Sequence, residues 1–259
     1  MPSLTFIGLG LHDEKGLTLE GLEEAKRSDV AFAEFYTNMM PSMDLERLES
    51  EIGKKIHVLN RTQLEDEGGR ELVRAAQDGC VALFVPGDPM IATTHVSLRL
   101  TLCKMGIESR IIHAASIMSA VCGATGLQNY KFGRAVTVPF DNPLPKSVLD
   151  AISENRSRGL HTLLLLDVKA DHGRQLTIRD ALAKITIASP ELQNLLAVGA
   201  ARLGAPDEKV KAARIRSLID EDFGGPPHSI IAVGKLHFME SEALRVLCGA
   251  AEIDLGEAT

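Results

Sequence analysis

Cysteine is scarce in this chain of 259 residues and forms no recognisable motif. The four cysteines, Cys80, Cys103, Cys122 and Cys248, are scattered along the sequence and include no C-x-x-C pair. Neither a zinc site nor a disulfide framework is therefore expected. A reducing compartment fits this pattern best, so we expect a cytoplasmic protein that holds no metal.

Long apolar runs and a surplus of basic residues are also missing. No apolar run approaches the roughly 20 residues that a bilayer crossing needs, so we expect a soluble protein without a membrane contact. The formal net charge of −7 argues against direct binding of nucleic acid, because such proteins neutralise phosphates with excess lysine and arginine. One local basic patch is interpreted as a solvated helix or loop face in preference to a docking site for an acidic partner. It consists of Lys209, Lys211, Arg214 and Arg216.

The chain lacks the third glycine of the dinucleotide-binding fingerprint as well. The turn GLGLHD at residues 8–13 follows a predicted strand, but Asp13 occupies the position of that glycine. The usual pyrophosphate cradle is therefore not supported. A structural tight turn explains Gly8 and Gly10 most simply, although glycines also let a backbone approach a ligand closely.

Strand-like runs alternate with helix-like segments through the first half of the chain, which predicts an α/β fold with a parallel sheet and flanking helices. Thr18 is the predicted cap of a first helix that carries Leu19, Leu22 and Ala25 on one side. Further helices are predicted around residues 45–52, 72–78 and 96–105. The predicted strands cover residues 4–9, 30–35, 56–59, 80–85 and 109–113.

The second half is less regular and predicts a mixed sheet with helices. Strand candidates cover residues 135–138, 162–168, 195–201 and 229–233, and helix candidates cover 145–154, 177–185 and 241–248. A boundary near residue 114 would give each half the size of a domain. We therefore predict an N-terminal Rossmann-like domain over residues 1–113 and a C-terminal α/β domain over residues 114–259.

The turn Val85-Pro86-Gly87-Asp88-Pro89 follows the most apolar predicted strand. Open α/β sheets bind ligands beyond the carboxyl ends of their strands, and the Asp88 carboxylate could accept hydrogen bonds from a small ligand there. An ordinary Asx turn that caps the next helix explains the same residues equally well. The residues alone leave both interpretations open.

Several motifs in order resemble the tetrapyrrole-methylase superfamily and, within it, the diphthine synthase family. The superfamily resemblance is carried by FIGLG at residues 6–10, Thr18, Glu34 and PGDP at residues 86–89. The closer resemblance lies in VAFAEFYT at 30–37, PGDPMIATTH at 86–95, HAASIMSAV at 113–121, GLHTLLLLD at 159–167, EDFGGPPH at 221–228 and GKLH at 234–237. It covers nearly the whole chain.

The resemblance implies a homodimer of two-domain subunits that bind S-adenosylmethionine in the cleft between their domains and release S-adenosylhomocysteine. The implied substrate is translation elongation factor 2, on which the amine of a 3-amino-3-carboxypropyl histidine is methylated repeatedly to form diphthine, a step in diphthamide biosynthesis. No general base is assigned, although His95, Asp88 or His228 could pass a proton to water. Carried over by motif, the implied cofactor contacts are Leu11, Asp88, Ile91, Ser116, Ile117, Leu166, Leu203 and His228.

Three other functions remain as alternatives. A tetrapyrrole C-methyltransferase of the same fold is disfavoured by the Phe35-Tyr36 and Pro226-Pro227-His228 stretches. An NAD-dependent oxidoreductase is disfavoured by the missing third glycine. A nucleotide-binding module without catalysis is the third.

Overall fold

The computed structural model describes residues 2–169 and 173–255, and these form an α/β protein of two compact units. The first unit extends to Ile117 and the second begins at Met118, except that Lys169 and Gly173 group with the first. Within the described ranges, no helix combines the length and the apolar character needed to cross a membrane.

The first unit contains one parallel sheet with helices between its strands. The strands lie in the order β3-β2-β4-β1-β5, and every neighbouring pair is parallel. The elements are β1 (Ser3–Gly8), α1 (Leu19–Arg27), β2 (Val30–Glu34), α2 (Leu45–Ile52), β3 (Ile56–Leu59), α3 (Arg70–Asp78), β4 (Cys80–Val85), α4 (His95–Lys104) and β5 (Glu108–Ile112).

Local sequence signals explain why these elements begin and end where they do. The Thr18 hydroxyl accepts a hydrogen bond from the Gly21 amide and so caps α1, as predicted. The left-handed Gly53 ends α2, a conformation that glycine adopts without steric cost. The central strand β4 is buried along nearly its whole length, in agreement with its unbroken apolar sequence.

One helix-face prediction in this unit is wrong. Leu19 does not share the buried side of α1 with Ala25, because it is the first residue of the helix and is 82% exposed. The buried positions of α1 are Gly21 and Ala25, and a Cβ at Gly21 would come within 2.8 Å of the Ile7 side chain. The helix therefore packs through small residues close to the sheet.

The second unit contains a mixed sheet, as predicted. Its strands lie in the order β11-β10-β12-β7-β6, antiparallel except for the parallel pair of β6 and β7. The elements are α5 (Ile117–Thr125), which begins at the last residue of the first unit, β6 (Val136–Val138), α6 (Lys146–Ser157), β7 (Thr162–Leu166), β8 (Val168–Lys169), β9 (Arg174–Gln175), α7 (Ile178–Ala188), β10 (Leu196–Ala201), β11 (Lys209–Arg214), α8 (Ile215–Leu218), β12 (His228–Ala232), α9 (Phe238–Cys248) and α10 (Glu252–Leu255).

The strand predicted over residues 162–168 is divided in two by Asp167. The Asp167 carboxylate accepts hydrogen bonds from the amides of Phe140 (3.3 Å) and Val168 (2.9 Å). The Asp167 amide itself donates to Val138 O. These local bonds end β7 at Leu166, and Val168 starts the short strand β8.

The interpretation of the basic patch at residues 209–216 as a solvated helix or loop face is wrong. Most of the patch is strand β11, and its charged side chains bond within the second unit. Lys209 pairs with Glu221 (2.6 Å), Lys211 donates to Gly249 O (2.8 Å), and the largely buried Arg214 pairs with Asp254 (2.9 Å).

Candidate cofactor site

The predicted contacts of the first unit lie at one edge of its parallel sheet. Leu11 follows β1, Asp88 and Ile91 follow β4, and Ser116 and Ile117 follow β5. Because β4, β1 and β5 are adjacent and parallel, their carboxyl ends meet at the same edge. The sheet therefore brings these five residues to neighbouring loops.

Backbone hydrogen bonds join the loop after β1 to the loop after β4. The Gly10 amide donates to Gly87 O (3.2 Å), and the Gly87 amide donates to Gly10 O (2.7 Å). Both glycines have left-handed backbones, with φ of 77° and 68°. A side chain at Gly87 would meet open space, since no atom lies within 4 Å of the position that its Cβ would take. The backbone of Gly87 is thus left accessible at the end of β4.

Asp13 has a structural role at the position of the missing third glycine. Its side chain accepts a hydrogen bond from the Lys15 amide (3.0 Å) and caps the short 3₁₀ helix Glu14–Gly16. Gly16 folds back so closely that a Cβ there would lie 2.5 Å from Leu9 O. The loop after β1 is therefore a compact turn and does not lead directly into a helix N terminus as a dinucleotide cradle would.

Asp88 forms the Asx turn and also a second contact. One carboxylate oxygen accepts a hydrogen bond from the Met90 amide (3.0 Å), and the other lies 2.7 Å from His113 Nδ1. The Asp88 side chain is 8% exposed, whereas that of His113 is 70% exposed. Each carboxylate oxygen has two lone pairs, so Asp88 retains capacity for a ligand while it fastens the loop after β4 to the end of β5.

Leu166, Leu203 and His228 lie together at one edge of the mixed sheet in the second unit. Leu166 ends β7, His228 begins β12, and Leu203 lies two residues beyond β10. His228 is paired with Ala201 across the antiparallel ladder, and the adjoining Ser229 is paired with Leu165. All three side chains are buried.

His228 carries a buried ring nitrogen that makes no hydrogen bond of good geometry with the described part of the chain. Its Nδ1 accepts from the Ile178 amide (3.3 Å), which leaves the ring proton on Nε2 in the neutral tautomer. Burial, with the charge of Arg202 second, lowers the pKa of His228 and favours that neutral form. No described residue accepts a hydrogen bond of good geometry from Nε2, although the backbone carbonyls of Phe223, Gly224 and Gly225 lie close enough to offset part of the lowering of the pKa. Such an orphan is uncommon in a protein interior and fits a site that receives a polar ligand.

Comparison with known proteins identifies the family. Residues 3–219 match the family of Tetrapyrrole (Corrin/Porphyrin) Methylases. The diphthine synthase of Methanocella arvoryzae is 44% identical over 95% of this chain and 98% of its own, and that of Haloquadratum walsbyi is 40% identical over 95% of both. The chain belongs to the diphthine synthase family of tetrapyrrole methylases. A crystal structure of diphthine synthase superposes with a TM-score of 0.93 at 40% identity and 99% coverage of both chains.

Membership of the diphthine synthase family confirms the predicted family and fold class. As a member of this family, the chain is a methyltransferase. Its diphthine synthase relatives favour a role in the diphthamide pathway over the alternative of a tetrapyrrole C-methyltransferase. The eight contact residues carried over by motif stay a prediction, which the clustering at two sheet edges supports.

Glu34 and His95, two residues of the family motifs, form a buried titratable pair near the same edge of the first sheet, and their pairing was not predicted from the sequence. Glu34, at the end of β2, accepts hydrogen bonds from the amides of Tyr36 (3.0 Å) and Thr37 (3.1 Å). His95 Nε2 lies 3.6 Å from Glu34 Oε1, too far for a good hydrogen bond. Burial raises the pKa of Glu34 to about 7 and lowers the pKa of His95 to about 4, so burial disfavours the charged form of each group and His95 is neutral near pH 7.

Proposed function

We propose that this methyltransferase uses S-adenosylmethionine to methylate the amine of a 3-amino-3-carboxypropyl histidine on translation elongation factor 2, forming diphthine. The support is the high identity to diphthine synthases over nearly the full length of both chains. The cofactor, the acceptor protein and the contact residues are part of this proposal.

Each sheet edge, taken by itself, carries groups that suit the proposed cofactor. The open backbone at Gly87 and the remaining lone pairs of Asp88 suit close approach by a polar ligand. In the second unit, His228 Nε2 is a donor in need of an acceptor, and Leu166 and Leu203 add apolar surface. S-adenosylmethionine would supply an activated methyl group on a sulfonium, which needs no metal or covalent enzyme intermediate.

Positioning and dehydration are the tasks left to the protein. The attacking amine must be unprotonated and held in line with the bond that breaks. Apolar residues such as Leu11, Ile117 and Leu166 would weaken the hydration of charged groups and so lower the pKa of the amine. The methylated ammonium must lose a proton before the nitrogen can attack again, and Asp88 and His228 are ionisable side chains among the proposed contacts.

We further propose that the protein acts in the cytoplasm as a homodimer, as the resemblance implies. Exposed apolar residues on α4 support the homodimer, because a partner subunit would cover them. Val96 and Leu100, four residues apart on the helix, are 57% and 55% exposed.

A transfer assay tests the proposed function directly. The purified protein is supplied with labelled S-adenosylmethionine and elongation factor 2 that carries the aminocarboxypropyl histidine, and with elongation factor 2 that lacks it. We expect label only in the elongation factor 2 that carries the aminocarboxypropyl histidine. Label on neither form, or transfer to a tetrapyrrole instead, would overturn the proposal.

The role of Asp88 is tested by two substitutions. Asp88→Ala removes both the turn contact and the contact to His113, and we expect it to weaken the binding of S-adenosylhomocysteine by more than about tenfold. Asp88→Asn keeps an acceptor for the Met90 amide, so its affinity should lie between those of Asp88→Ala and the unchanged protein. Isothermal calorimetry measures the affinities, and unchanged binding by Asp88→Ala would refute the role.

A further inference from the structure

Arg202 has an unusual backbone conformation directly before Leu203, one of the predicted contacts of the second unit. It follows β10 directly and precedes Leu203. Its φ is +51°, and among the described residues only Ala92 and Arg202 combine a positive φ with a side chain. Residues with a Cβ rarely adopt this left-handed conformation, and they keep it only where surrounding contacts enforce it.

The contacts that hold Arg202 reach two separate segments. Toward the first segment, residues 203–208, Nε donates to Asp207 Oδ2 (2.7 Å) and Nη2 donates to Asp207 O (2.9 Å). Toward the second segment, residues 222–227, Nη1 donates to Phe223 O (2.6 Å) and also to Gly225 O, and the backbone amide donates to Pro227 O (2.8 Å). The guanidinium is thus a bridge with nearly every donor direction used.

The second segment is shaped to fit the guanidinium. A Cβ at Gly224 would lie 3.3 Å from Nη1 and 3.4 Å from Nη2 of Arg202, and the φ of Gly224 is +67°. The Phe223 ring packs against Gly199 so closely that a Cβ there would lie 2.3 Å away, and it meets the His228 ring edge-on at 6.2 Å. Displacing Arg202 would therefore disturb the approach of the chain to His228.

Both segments lead to residues of the proposed cofactor site. Leu203 is the first residue of one, and the Arg202 carbonyl accepts a hydrogen bond from the Ala205 amide (2.9 Å), which closes the turn around Leu203. His228 follows the last residue of the other. Burial is the main cause of the lowered pKa of His228, and the positive charge of Arg202 is the second. The lowered pKa favours the neutral ring, in which only one nitrogen carries a proton.

We propose that Arg202 is a positioning residue of the cofactor site, which fastens the segment leading into His228 to the turn that begins with Leu203. This inference rests on the proposed function, because it takes Leu203 and His228 to be cofactor contacts. Arg202 acts through them, holding one apolar and one hydrogen-bonding contact in a fixed relation before the cofactor arrives. Such preorganisation raises affinity by removing an ordering cost from the binding step.

The experiment compares Arg202→Gln and Arg202→Lys with the unchanged protein. Calorimetry with S-adenosylhomocysteine should show a loss of more than about tenfold for Arg202→Gln and a smaller loss for Arg202→Lys, which keeps the charge but not the planar fork. Nuclear magnetic resonance titration should show a raised pKa of His228 in Arg202→Gln and little change in Arg202→Lys.

A matched control separates positioning from general stability. Arg214 is also buried and bonds to oxygens of Asn194, Ile253 and Asp254, all of which lie outside the two segments around Arg202. Arg214→Lys should lower the melting temperature and leave both the cofactor affinity and the His228 titration unchanged. Asp207→Asn, at a largely exposed side chain, removes one charged partner of Arg202 with little risk to folding and should weaken binding by about two- to fivefold.

The outcomes are distinct. If the unchanged protein does not bind S-adenosylhomocysteine, the proposed function fails. If it binds, and Arg202→Gln binds equally well with an unchanged His228 titration, the positioning role is overturned while the function stands. If Arg202→Gln does not fold, Arg202→Lys and Asp207→Asn decide, and unchanged affinity in both overturns the role.

Discussion

Gly8→Ala should reduce the affinity for S-adenosylhomocysteine by about a hundredfold or more, equivalent to roughly 3 kcal/mol. Gly8 is the last residue of β1, where a Cβ would lie 2.6 Å from both Ala114 Cβ and Gly87 O and 3.1 Å from Ala114 N. Two of these atoms belong to backbone, which cannot turn aside as a flexible side chain can. The loops after β4 and β5 would have to move away from the end of β1. These loops carry Asp88 and Ser116, two of the predicted cofactor contacts.

The affinity of Gly8→Ala is measured by calorimetry, with circular dichroism to show that the variant keeps its secondary structure. Gly123→Ala is a suitable control, because a Cβ at Gly123 of α5 meets no atom within 4 Å. Alanine in a helix is favoured over glycine by roughly 0.5–1 kcal/mol, so this control should be at least as stable as the unchanged protein and bind equally well. Binding by Gly8→Ala within about threefold of the unchanged protein would contradict the packing argument.

The strands and helices of the first unit could be predicted because their signals are local, whereas the order of the strands in the sheet was not predicted. Runs of apolar residues mark β3 and β4 to the residue, and Thr18 and Gly53 mark helix ends through their own backbone preferences. The turns at Gly10 and Gly87 are recognisable as turns from glycine alone. Their mutual hydrogen bonds are not, since they depend on β1 and β4 lying side by side.

Two elements of the second unit carry misleading patterns. The strand β11 alternates lysine with small apolar residues and lies at the edge of its sheet, so its charges resemble a solvated face. The helix α5 is apolar on most sides and contains Gly123, so it lacks the amphipathic spacing that marks a surface helix. Periodicity fails in both cases because burial is decided by neighbours distant in sequence.

The buried polar side chains with the most hydrogen bonds could not be predicted from the sequence either, because most of their partners are distant in the chain. Three partners of Glu240, namely His161, Lys131 and Gln128, lie 79 to 112 residues away. Those of Arg202 include Phe223 and Gly225 on another strand connection. No spacing rule connects such residues. The cofactor contacts could be predicted only through family resemblance, which carries three-dimensional neighbours along with the motif.

Glu240 is the centre of a buried polar network in the second unit. It is fully buried in the first turn of α9, and Oε2 accepts hydrogen bonds from the His237 amide (2.8 Å) and from Lys131 Nζ. Oε1 accepts from the Gln128 amide (2.9 Å) and lies 3.0 Å from His161 Nε2. The His161 Nδ1 accepts from the Gly234 amide (3.0 Å), so Nε2 carries the proton that points to Glu240.

The carboxylate form of Glu240 is strongly favoured in the folded protein. Burial alone would raise its pKa, but hydrogen bonds from Lys131, Gln128, His237 and His161 outweigh burial and lower the pKa to about 2. A lowered carboxyl pKa adds stability above the unfolded value near 4.5, and this stability is lost as the pH falls from there through about 2. The shift corresponds to about 3 kcal/mol.

Glu240→Gln should therefore lower the free energy of unfolding by roughly 3 kcal/mol at pH 7, because the amide nitrogen of glutamine would face donors that need an acceptor. Urea denaturation at pH 7 and at a series of values below about 4.5 measures the difference, which should shrink as the unchanged protein loses the contribution of the carboxylate. Glu242→Gln, on an exposed face of the same helix, should leave stability nearly unchanged at every pH, since its pair with Arg245 is open to solvent. A difference for Glu240→Gln that stays constant down to pH about 3 would show that hydrogen-bond geometry, and not the charge of Glu240, stabilises the network.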